Sequence, residues 1–562
     1  MEPRPRIGVY ICHCGTNVAA TVDVEAVTEF AATLPGVVVA RHYTYMCSEP
    51  GQALIREDAR ALGLNRVVVA SCSPRMHEPT FRAASQEGGV NPYQFEMANI
   101  REQCSWVHHD RHEATEKAKA LVYAAVMKAI RLEPLEEREA PVTPAALVIG
   151  GGVAGMMAAL DIAEAGFPVY LVEKSDHLGG RVAELNRTFP DLEPVSEWLP
   201  ALVDQVQRHP NITVYLNSRV TNITGFVGNF EATVEGAKEP LKVGAIVIAT
   251  GYDVFDPRRK PEFGYGIYPQ VVTTLELEHR LAAGDLTVNG KTPKDVVFIK
   301  CVGSRDQQLG RPYCSRVCCM ISAKQAQLVR QALPDARVTV FYMDVRTFGK
   351  RGEEFYDEAR RAGVRYRRGN VSEIYRRGDR VVVRVEDTLL GRTIEHEADL
   401  VVLAVGMEPR PEAADIAALL KLPRSADGFF LEAHPKLRPV DTAVDGVFLA
   451  GCCQSPKDIP DTIAQAKAAA ASALIPLMRG VVPMEAATAI VDPELCAGCG
   501  MCVEICPYGA PGLDPLWGVS RVNAVLCKGC GACAVTCPSK AIRLQHFTPD
   551  QILAQVEALV GW

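Results

Sequence analysis

The sequence predicts an α/β chain of several domains: a doubly wound domain at the start, a dinucleotide-binding core, and a small cysteine-rich tail. Three observations carry that expectation. From Ala145 to Glu173 an apolar strand, the turn Gly150-Gly151-Gly152-Val153-Ala154-Gly155, a helical run and a second strand closing on an acid make a βαβ unit with G-x-G-x-x-G in its turn. The first 140 residues alternate strand and helix patterns. Near the end, one cysteine run is written twice. The expected segments are 1–140, 141–260, 261–398, 399–485 and 486–562.

At 562 residues the chain is long enough for several domains, each with its own core apart from the tail. A formal net charge of −7 gives no basis for nucleic-acid binding, and the basic groups Arg365-Tyr-Arg-Arg and Arg376-Arg377 sit among strand residues, as on a solvated face. No apolar run reaches the roughly 18 residues of a membrane span, and the start has no signal-peptide core, so a cytoplasmic protein with no membrane span is expected. In that compartment 19 cysteines argue for metal or redox chemistry over a disulfide scaffold.

In the first domain, strands are expected at Ile7–Ile11, Val37–Tyr45, Arg66–Ala70 and Tyr93–Ala98, with helices through Val24–Leu34, Gln52–Leu62, Thr80–Glu87 and Ala114–Leu132. Cys12 and Cys14 follow the first strand, Cys47 the second, Cys72 the third and Cys104 the fourth. Ligands of open α/β sheets gather outside the carboxyl ends of the strands, so five thiols delivered there read as a metal site, and four suit an iron–sulfur cluster. Buried core thiols are the plainer alternative. Cys12 and Cys14 compete for one position, which leaves the spare thiol open.

After the linker Pro141–Pro144 comes the glycine turn. Gly150 allows the tight turn, Gly152 lets backbone approach a pyrophosphate at the helix N-terminus, and Gly155 lets helix and strand pack closely. Glu173 would hold the ribose hydroxyls. Leu178-Gly179-Gly180-Arg181, Ile246-Val-Ile-Ala249-Thr250-Gly251 and Gly446-Val-Phe-Leu-Ala-Gly451 follow. Together these segments resemble the split flavin-binding domain of two-dinucleotide-fold, thioredoxin-reductase-like flavoproteins. FAD is therefore expected over NAD, with Ala154, Lys174, Asp461 and Ile463 completing the cofactor contacts. The alanine-rich helix opening at Pro460 would run beneath the flavin and offer it an N-terminus.

The strand Asp295–Lys300 should open a second dinucleotide-binding unit, but it runs into Cys301-Val-Gly-Ser-Arg-Asp with no second glycine fingerprint, which argues against NAD(P)H binding. Cys301, Cys314, Cys318 and Cys319 stand there instead. Spacing leaves a cluster, a zinc site and a redox-active vicinal pair open. Strands Arg337–Tyr342 and Val381–Val385 continue this unit, and Asp399–Gly406 is expected to return to the flavin fold. Cys452-Cys453 read as core packing. Lys324, one turn into the helix after Cys319, is expected to aim its ammonium at the isoalloxazine and act in catalysis, against the plainer reading of a solvated helix lysine.

In the tail, Cys496-x2-Cys499-x2-Cys502-x3-Cys506-Pro507 recurs as Cys527-x2-Cys530-x2-Cys533-x3-Cys537-Pro538, the pattern of a two-cluster bacterial ferredoxin. The fourth cysteine of each run serves the other cluster, so Cys496, Cys499, Cys502 and Cys537 form one set and Cys527, Cys530, Cys533 and Cys506 the other. Phe547–Trp562 is expected to close the chain as a helix.

Ile11-Cys-His-Cys-Gly-Thr-Asn, Arg66-Val-Val-Val-Ala-Ser-Cys-Ser-Pro-Arg, Asn91-Pro-Tyr-Gln-Phe-Glu, Cys301-Val-Gly-Ser-Arg-Asp and Tyr313-Cys-Ser-Arg-Val-Cys-Cys together resemble the heterodisulfide reductase A-subunit family. The resemblance implies FAD, an N-terminal cluster domain, a non-standard 4Fe-4S site on Cys301, Cys314, Cys318 and Cys319, and the ferredoxin tail, for four 4Fe-4S clusters in all. It implies an oxidoreductase component that passes electrons through flavin, by bifurcation or confurcation in some members. The implied partners are other components of such a complex and hydrogenase- or ferredoxin-type donors or acceptors, with the chain a homodimer inside the complex. The ferredoxin insertion of larger members is absent, since no cysteine lies between Gly251 and Cys301. A self-sufficient NAD(P)H or ferredoxin oxidoreductase is the alternative enzyme, and an assembly scaffold the non-catalytic one.

Overall fold

The computed structural model describes residues 4–136 and 138–562, so the first three residues and residue 137 of the expected 1–140 segment lie outside the described residues. The chain forms two compact units: residues 1–140 together with 483–562, and residues 141–482.

In the first unit a parallel sheet runs in the order Val37–Tyr43, Ile7–Cys12, Arg66–Ser71, Phe95–Asn99. Its two middle strands are buried at every position, as their unbroken apolar runs require of strands covered on both faces. Helices Val24–Ala32 and Arg111–Ile130 pack over one face, where Val27, Ala118, Val122 and Val126 meet Ile7, Val9 and Ile11. Helices Glu49–Leu62 and Pro74–Glu87 cover the other, where Ile55, Ala59 and Phe81 meet Tyr10, Val67 and Val69. The tail belongs to this unit and is built on two short antiparallel ladders, Ala489–Val491 with Ile542–Leu544 and Pro511–Leu513 with Ser520–Val522. Its closing helix Pro549–Val560 is fastened by Gln551 Nε2, which donates to Arg131 O at 3.0 Å, and by Trp562 edge-on to Phe30.

His546 lies buried where the tail meets this sheet, beside Glu96, Lys128 and Arg82. Burial, reinforced by Lys128 and Arg82, pulls its pKa down to about 3. A folded-state pKa below the unfolded value near 6.5 means that neutral His546 stabilises the fold above about pH 6.5, and that this contribution is lost as pH falls toward 3. Glu96, raised by the same burial, titrates in the opposite sense, so a difference measurement isolates the histidine. Between pH 7.5 and 5.5, wild type should lose about 1 kcal/mol relative to His546→Gln in urea unfolding of this unit. Parallel pH profiles for the two proteins would contradict the assignment.

The second unit holds two sheets. The first is a five-stranded parallel sheet ordered Val447–Leu449, Ala245–Ile248, Ala146–Ile149, Val169–Val172, Ile212–Tyr215, with a three-stranded antiparallel meander, Val220–Phe226, Asn229–Val234 and Leu241–Val243, packed through Phe230 and Ala232. The second has seven strands, ordered Val271–Thr273, Leu400–Val405, Asp295–Val302, Arg337–Tyr342, Arg365–Arg377, Arg380–Asp387, Arg392–Ala398. Contrary to the expected return of Asp399–Gly406 to the flavin fold, Leu400–Val405 pairs in parallel with Asp295–Val302 and Val271–Thr273 and belongs to the second sheet. Its run Leu-Val-Val-Leu-Ala-Val suits the centre of any covered parallel sheet, and nothing within it specifies which. The basic strand residues form a face of cross-strand ion pairs, among them Arg377 with Glu395 at 2.7 Å and Arg380 with Glu397 at 3.0 Å.

Candidate functional site

A cavity of about 550 Å³ opens at the glycine turn of the five-stranded sheet and reaches across to the seven-stranded one. This is the size of a cofactor site. The turn is forced by close packing: Gly150 has φ +113°, and a Cβ on Gly155 would stand 1.8 Å from Gly150 O. That contact sets helix Val153–Glu164 hard against the strand and points its free N–H groups at the cavity. A Cβ on Gly152, by contrast, would meet nothing within 4 Å, so backbone lines an open cradle there. Glu173, at the end of the next strand, accepts from Gly151 N at 2.6 Å and lies on the wall with Lys174, Gly180, Arg181, Ala154, Ala249, Thr250 and Gly251.

Four wall residues carry a buried polar atom with no partner: Thr250 Oγ1, Arg181 Nε, Arg410 Nε and Gln325 Oε1. Buried polar atoms are nearly always satisfied, so the wall is built for a polar ligand, and the glycine cradle together with Glu173 suits FAD. Of the other expected contacts, Gly155 packs behind the wall, and Gly451 N donates to Gln465 Oε1 at 2.8 Å. Asp461 and Ile463 do not line the cavity: Asp458 caps the helix, which places Asp461 in the first turn paired with Arg316 and leaves Thr462, Ile459 and Pro460 on the wall.

Lys324 is on the wall but is not a solvated helix lysine. It is 2% exposed, and its Nζ lies 2.5 Å from Glu278 Oε1 and 2.6 Å from Arg187 O. Burial lowers its pKa, and Glu278 works against that shift. Glu278 also accepts from the N–H groups of Asn186 and Arg187, so one carboxylate joins the second sheet's helices to the loop after Arg181. Nothing in the sequence marks Glu278, because Thr274-Leu-Glu-Leu-Glu-His-Arg-Leu reads as an ordinary amphipathic surface helix.

Beside this cavity, Cys301, Cys318 and Cys319 come together closely enough for their thiols to interact, and Ala404 packs against them. Cys314 stands in the loop before the helix, outside that contact, its sulfur accepting from Arg316 N at 3.3 Å. Cys301 holds left-handed backbone at φ 62°, as does Cys14 at φ 51°. Strain of this kind costs about 1–3 kcal/mol and persists where the surroundings enforce it. Cys452 and Cys453 are buried, as expected of core packing, Cys453 donating to Ile248 O at 3.2 Å, although Cys452 also touches the cavity.

In the first unit Cys14 lies close enough to Cys12, Cys47 and Cys72 for their charges to interact, and Arg101 Nη1 donates to Cys14 Sγ at 3.2 Å. Cys104 is the outsider. The single turn Arg101–Ser105 buries it completely, and its thiol donates to Ala114 O at 3.0 Å, away from the others. Of the five thiols, Cys104 is the one turned away from the other four.

In the tail, Cys496, Cys499, Cys502 and Cys537 ring one small hollow and Cys506, Cys527, Cys530 and Cys533 the other, the crossed arrangement that the repeat predicts. Backbone N–H groups of Ser520, Ala489 and Ala510 donate to Cys496, Cys527 and Cys506 at 3.3, 3.4 and 3.4 Å. Among the described residues no three His, Cys, Asp or Glu side chains converge as on a single ion. Thiolates of a four-iron cluster each bind a different iron and stand further apart.

The pyridine nucleotide-disulphide oxidoreductase family matches residues 144–299 and 318–473, and 4Fe-4S binding domains match 488–511 and 521–543. An iron–sulfur A-subunit of CoB–CoM heterodisulfide reductase from Methanopyrus kandleri is 47% identical, covering 91% of each chain. The A-subunit of the H2:CoB-CoM heterodisulfide,ferredoxin reductase from Methanothermobacter marburgensis is 46% identical, covering 99% of this chain and 98% of that one. Among the described residues no helix is long and apolar enough to cross a membrane. With a flavoprotein-type oxidoreductase core, a doubled 4Fe-4S tail and this identity along nearly its whole length, the chain belongs to the heterodisulfide reductase A-subunit family of oxidoreductases.

Proposed function

We propose that the chain is the FAD and iron–sulfur electron-transfer subunit of a heterodisulfide-reductase-like complex, with four 4Fe-4S clusters. One observation carries this reading: thiols stand where a nicotinamide-binding turn would be. The oxidoreductase family match breaks over residues 300–317, the stretch holding Cys301 and Cys314, and the chain leads directly from that stretch to the flavin cavity wall at Val317 and Ile321.

The cradle at Gly150, Gly152 and Ala154 would hold the pyrophosphate against the helix N-terminus, Glu173 the ribose, and Thr250 and Gly251 the flavin side. Bound there, flavin supplies the exchange between an electron pair and single electrons that iron–sulfur groups need. Lys324 and Glu278 form a neutralised pair at the wall that can hold or give a proton at Nζ without exposing it to water. The iron–sulfur ligands are Cys12, Cys14, Cys47 and Cys72; Cys301, Cys314, Cys318 and Cys319; and the two crossed sets of the tail. Cys314 would join its set when the loop closes on a cluster.

The terminal disulfide is reduced in a partner, since Cys452 and Cys453, the vicinal thiols beside the flavin wall, are buried and bonded to backbone. As the relatives' names couple H2, ferredoxin and heterodisulfide, we assign this chain the same classes of partner, bifurcation or confurcation at the flavin, a cytoplasmic location and a homodimer within the complex.

Anaerobic iron and flavin analysis tests the assignment. About 16 iron per flavin is expected if all four sites fill. Cys72→Ser and Cys319→Ser should each lose about 4 iron, while Cys104→Ala should lose none. About 8 iron per flavin in the wild type would remove both sites outside the tail.

A further inference from the structure

Lys300 is a buried cation with an unusual partner. It lies near the end of the strand Asp295–Val302 and is 7% exposed. Its Nζ donates to Cys319 Sγ at 3.3 Å and to Asp344 O at 3.1 Å, and it sits 5.1 Å from the centre of the Tyr342 ring. The nearby carboxylate is engaged elsewhere: Asp344 pairs with Arg305 at 2.7 Å and with Arg346 at 3.4 Å. Among the described residues no carboxylate forms an ion pair with Lys300.

An ammonium withdrawn from water is costly unless an anion compensates it. Here the atom placed to do so is the Cys319 sulfur, which also accepts from Arg346 N at 3.4 Å. Two N–H donors therefore converge on one sulfur, and only one of them brings charge. Arg305 adds a second positive group beside Cys301.

We infer that Lys300 is a positioning residue of the central cysteine set, a fixed positive charge on Cys319 that raises the reduction potential of the iron–sulfur group held there. The inference rests on the proposed cluster at Cys301, Cys314, Cys318 and Cys319. Adding one electron to such a group adds one negative charge, and a cation at hydrogen-bond distance from a ligand sulfur favours that state, as hydrogen bonds to cluster sulfurs do. The electron comes from the flavin or a partner iron–sulfur protein. No bond to Lys300 is made or broken.

The test is an EPR-monitored redox titration of the anaerobic full-length protein carrying Lys300→Met, which keeps length and apolar bulk, and Lys300→Arg, which keeps the charge. Iron and flavin are quantified in each. The expected result is full iron in both variants, with one signal in Lys300→Met harder to reduce by at least about tenfold in its equilibrium, roughly 59 mV for one electron, and restored in Lys300→Arg. An unchanged potential in Lys300→Met with iron in place overturns the inference. Should Lys300→Met lose iron, Lys300→Arg decides: retained iron and potential support the charge, and loss of both overturns it in favour of shape alone. Failure of the underlying site would look different, since Cys319→Ser in otherwise wild-type protein would then lose no iron.

Discussion

Gly155→Ala should strip the chain of flavin and destabilise its core, while Gly152→Ala, three residues away, should lose flavin but keep the fold. The added Cβ at Gly155 lies 1.8 Å from Gly150 O and 3.0 Å from its carbonyl carbon. Both atoms are backbone, so no rotamer relieves the clash, and helix Val153–Glu164 must lift off the strand that positions it. Overpacking of this kind costs about 1–3 kcal/mol or more, a fall in melting temperature of roughly 2–4 °C for each kcal/mol in a domain of this size. At Gly152 the new methyl meets nothing within 4 Å and stands where the cofactor would lie. The measurement is the flavin-to-protein ratio beside the melting temperature of flavin-free protein. At least a tenfold loss of flavin affinity is expected in both variants, with the flavin-free melting temperature lowered only in Gly155→Ala. Full flavin occupancy in Gly152→Ala would move the cofactor out of this cradle.

Removing either member of the Lys324–Glu278 pair should be the most destabilising single change at the cavity. At 2% and 1% side-chain exposure, the survivor is an uncompensated buried charge, a cost of about 3–5 kcal/mol. Glu278→Ala should be the worse of the two, because it also leaves the N–H groups of Asn186 and Arg187 without their acceptor. The double variant Lys324→Met with Glu278→Leu should recover much of the loss, because apolar groups of similar volume replace buried ion pairs at little cost. Stability and chemistry separate in the flavin potential. A shift of about 30 mV in the two-electron potential of the double variant, roughly 1.4 kcal/mol, would place the pair at the ring. An unchanged potential with flavin bound would leave Lys324 a purely structural residue.

The legible parts of this molecule are those whose chemistry is local in sequence. In each run the three cysteines spaced x2, x2 line one hollow and the fourth, x3 further on, reaches the other, so both hollows of the tail can be read from the repeat, down to the exchange of Cys506 and Cys537. The glycine turn is equally local, because a backbone approach as tight as that at Gly155 admits no side chain. The strand ends of the first sheet gather four thiols for the same reason, since doubly wound topology delivers such residues to one edge. What stays hidden depends on tertiary partners. Leu400–Val405 is apolar enough for either sheet, and only pairing with Asp295–Val302 assigns it. Cys104 follows its strand like the other cysteines, yet one turn of backbone hands its thiol to Ala114 O. Asp461 is displaced from the wall by the capping of Asp458, which sets the phase of that helix. Glu278 and Lys300 are charged residues in patterns that fit exposed or buried positions alike, and their partners lie 46 and 19 residues away.

On the proposed reading, electrons enter and leave the flavin through thiol-held iron–sulfur groups, the second domain having given its nicotinamide-binding turn to Cys301 and its neighbours. Anaerobic stopped-flow mixing of the full-length protein with NADH and with NADPH tests this most directly, with a reduced ferredoxin as the comparison. Flavin absorbance should persist with either nicotinamide and bleach with the ferredoxin; rapid bleaching by NADH or NADPH would contradict this reading and make the chain a self-sufficient reductase.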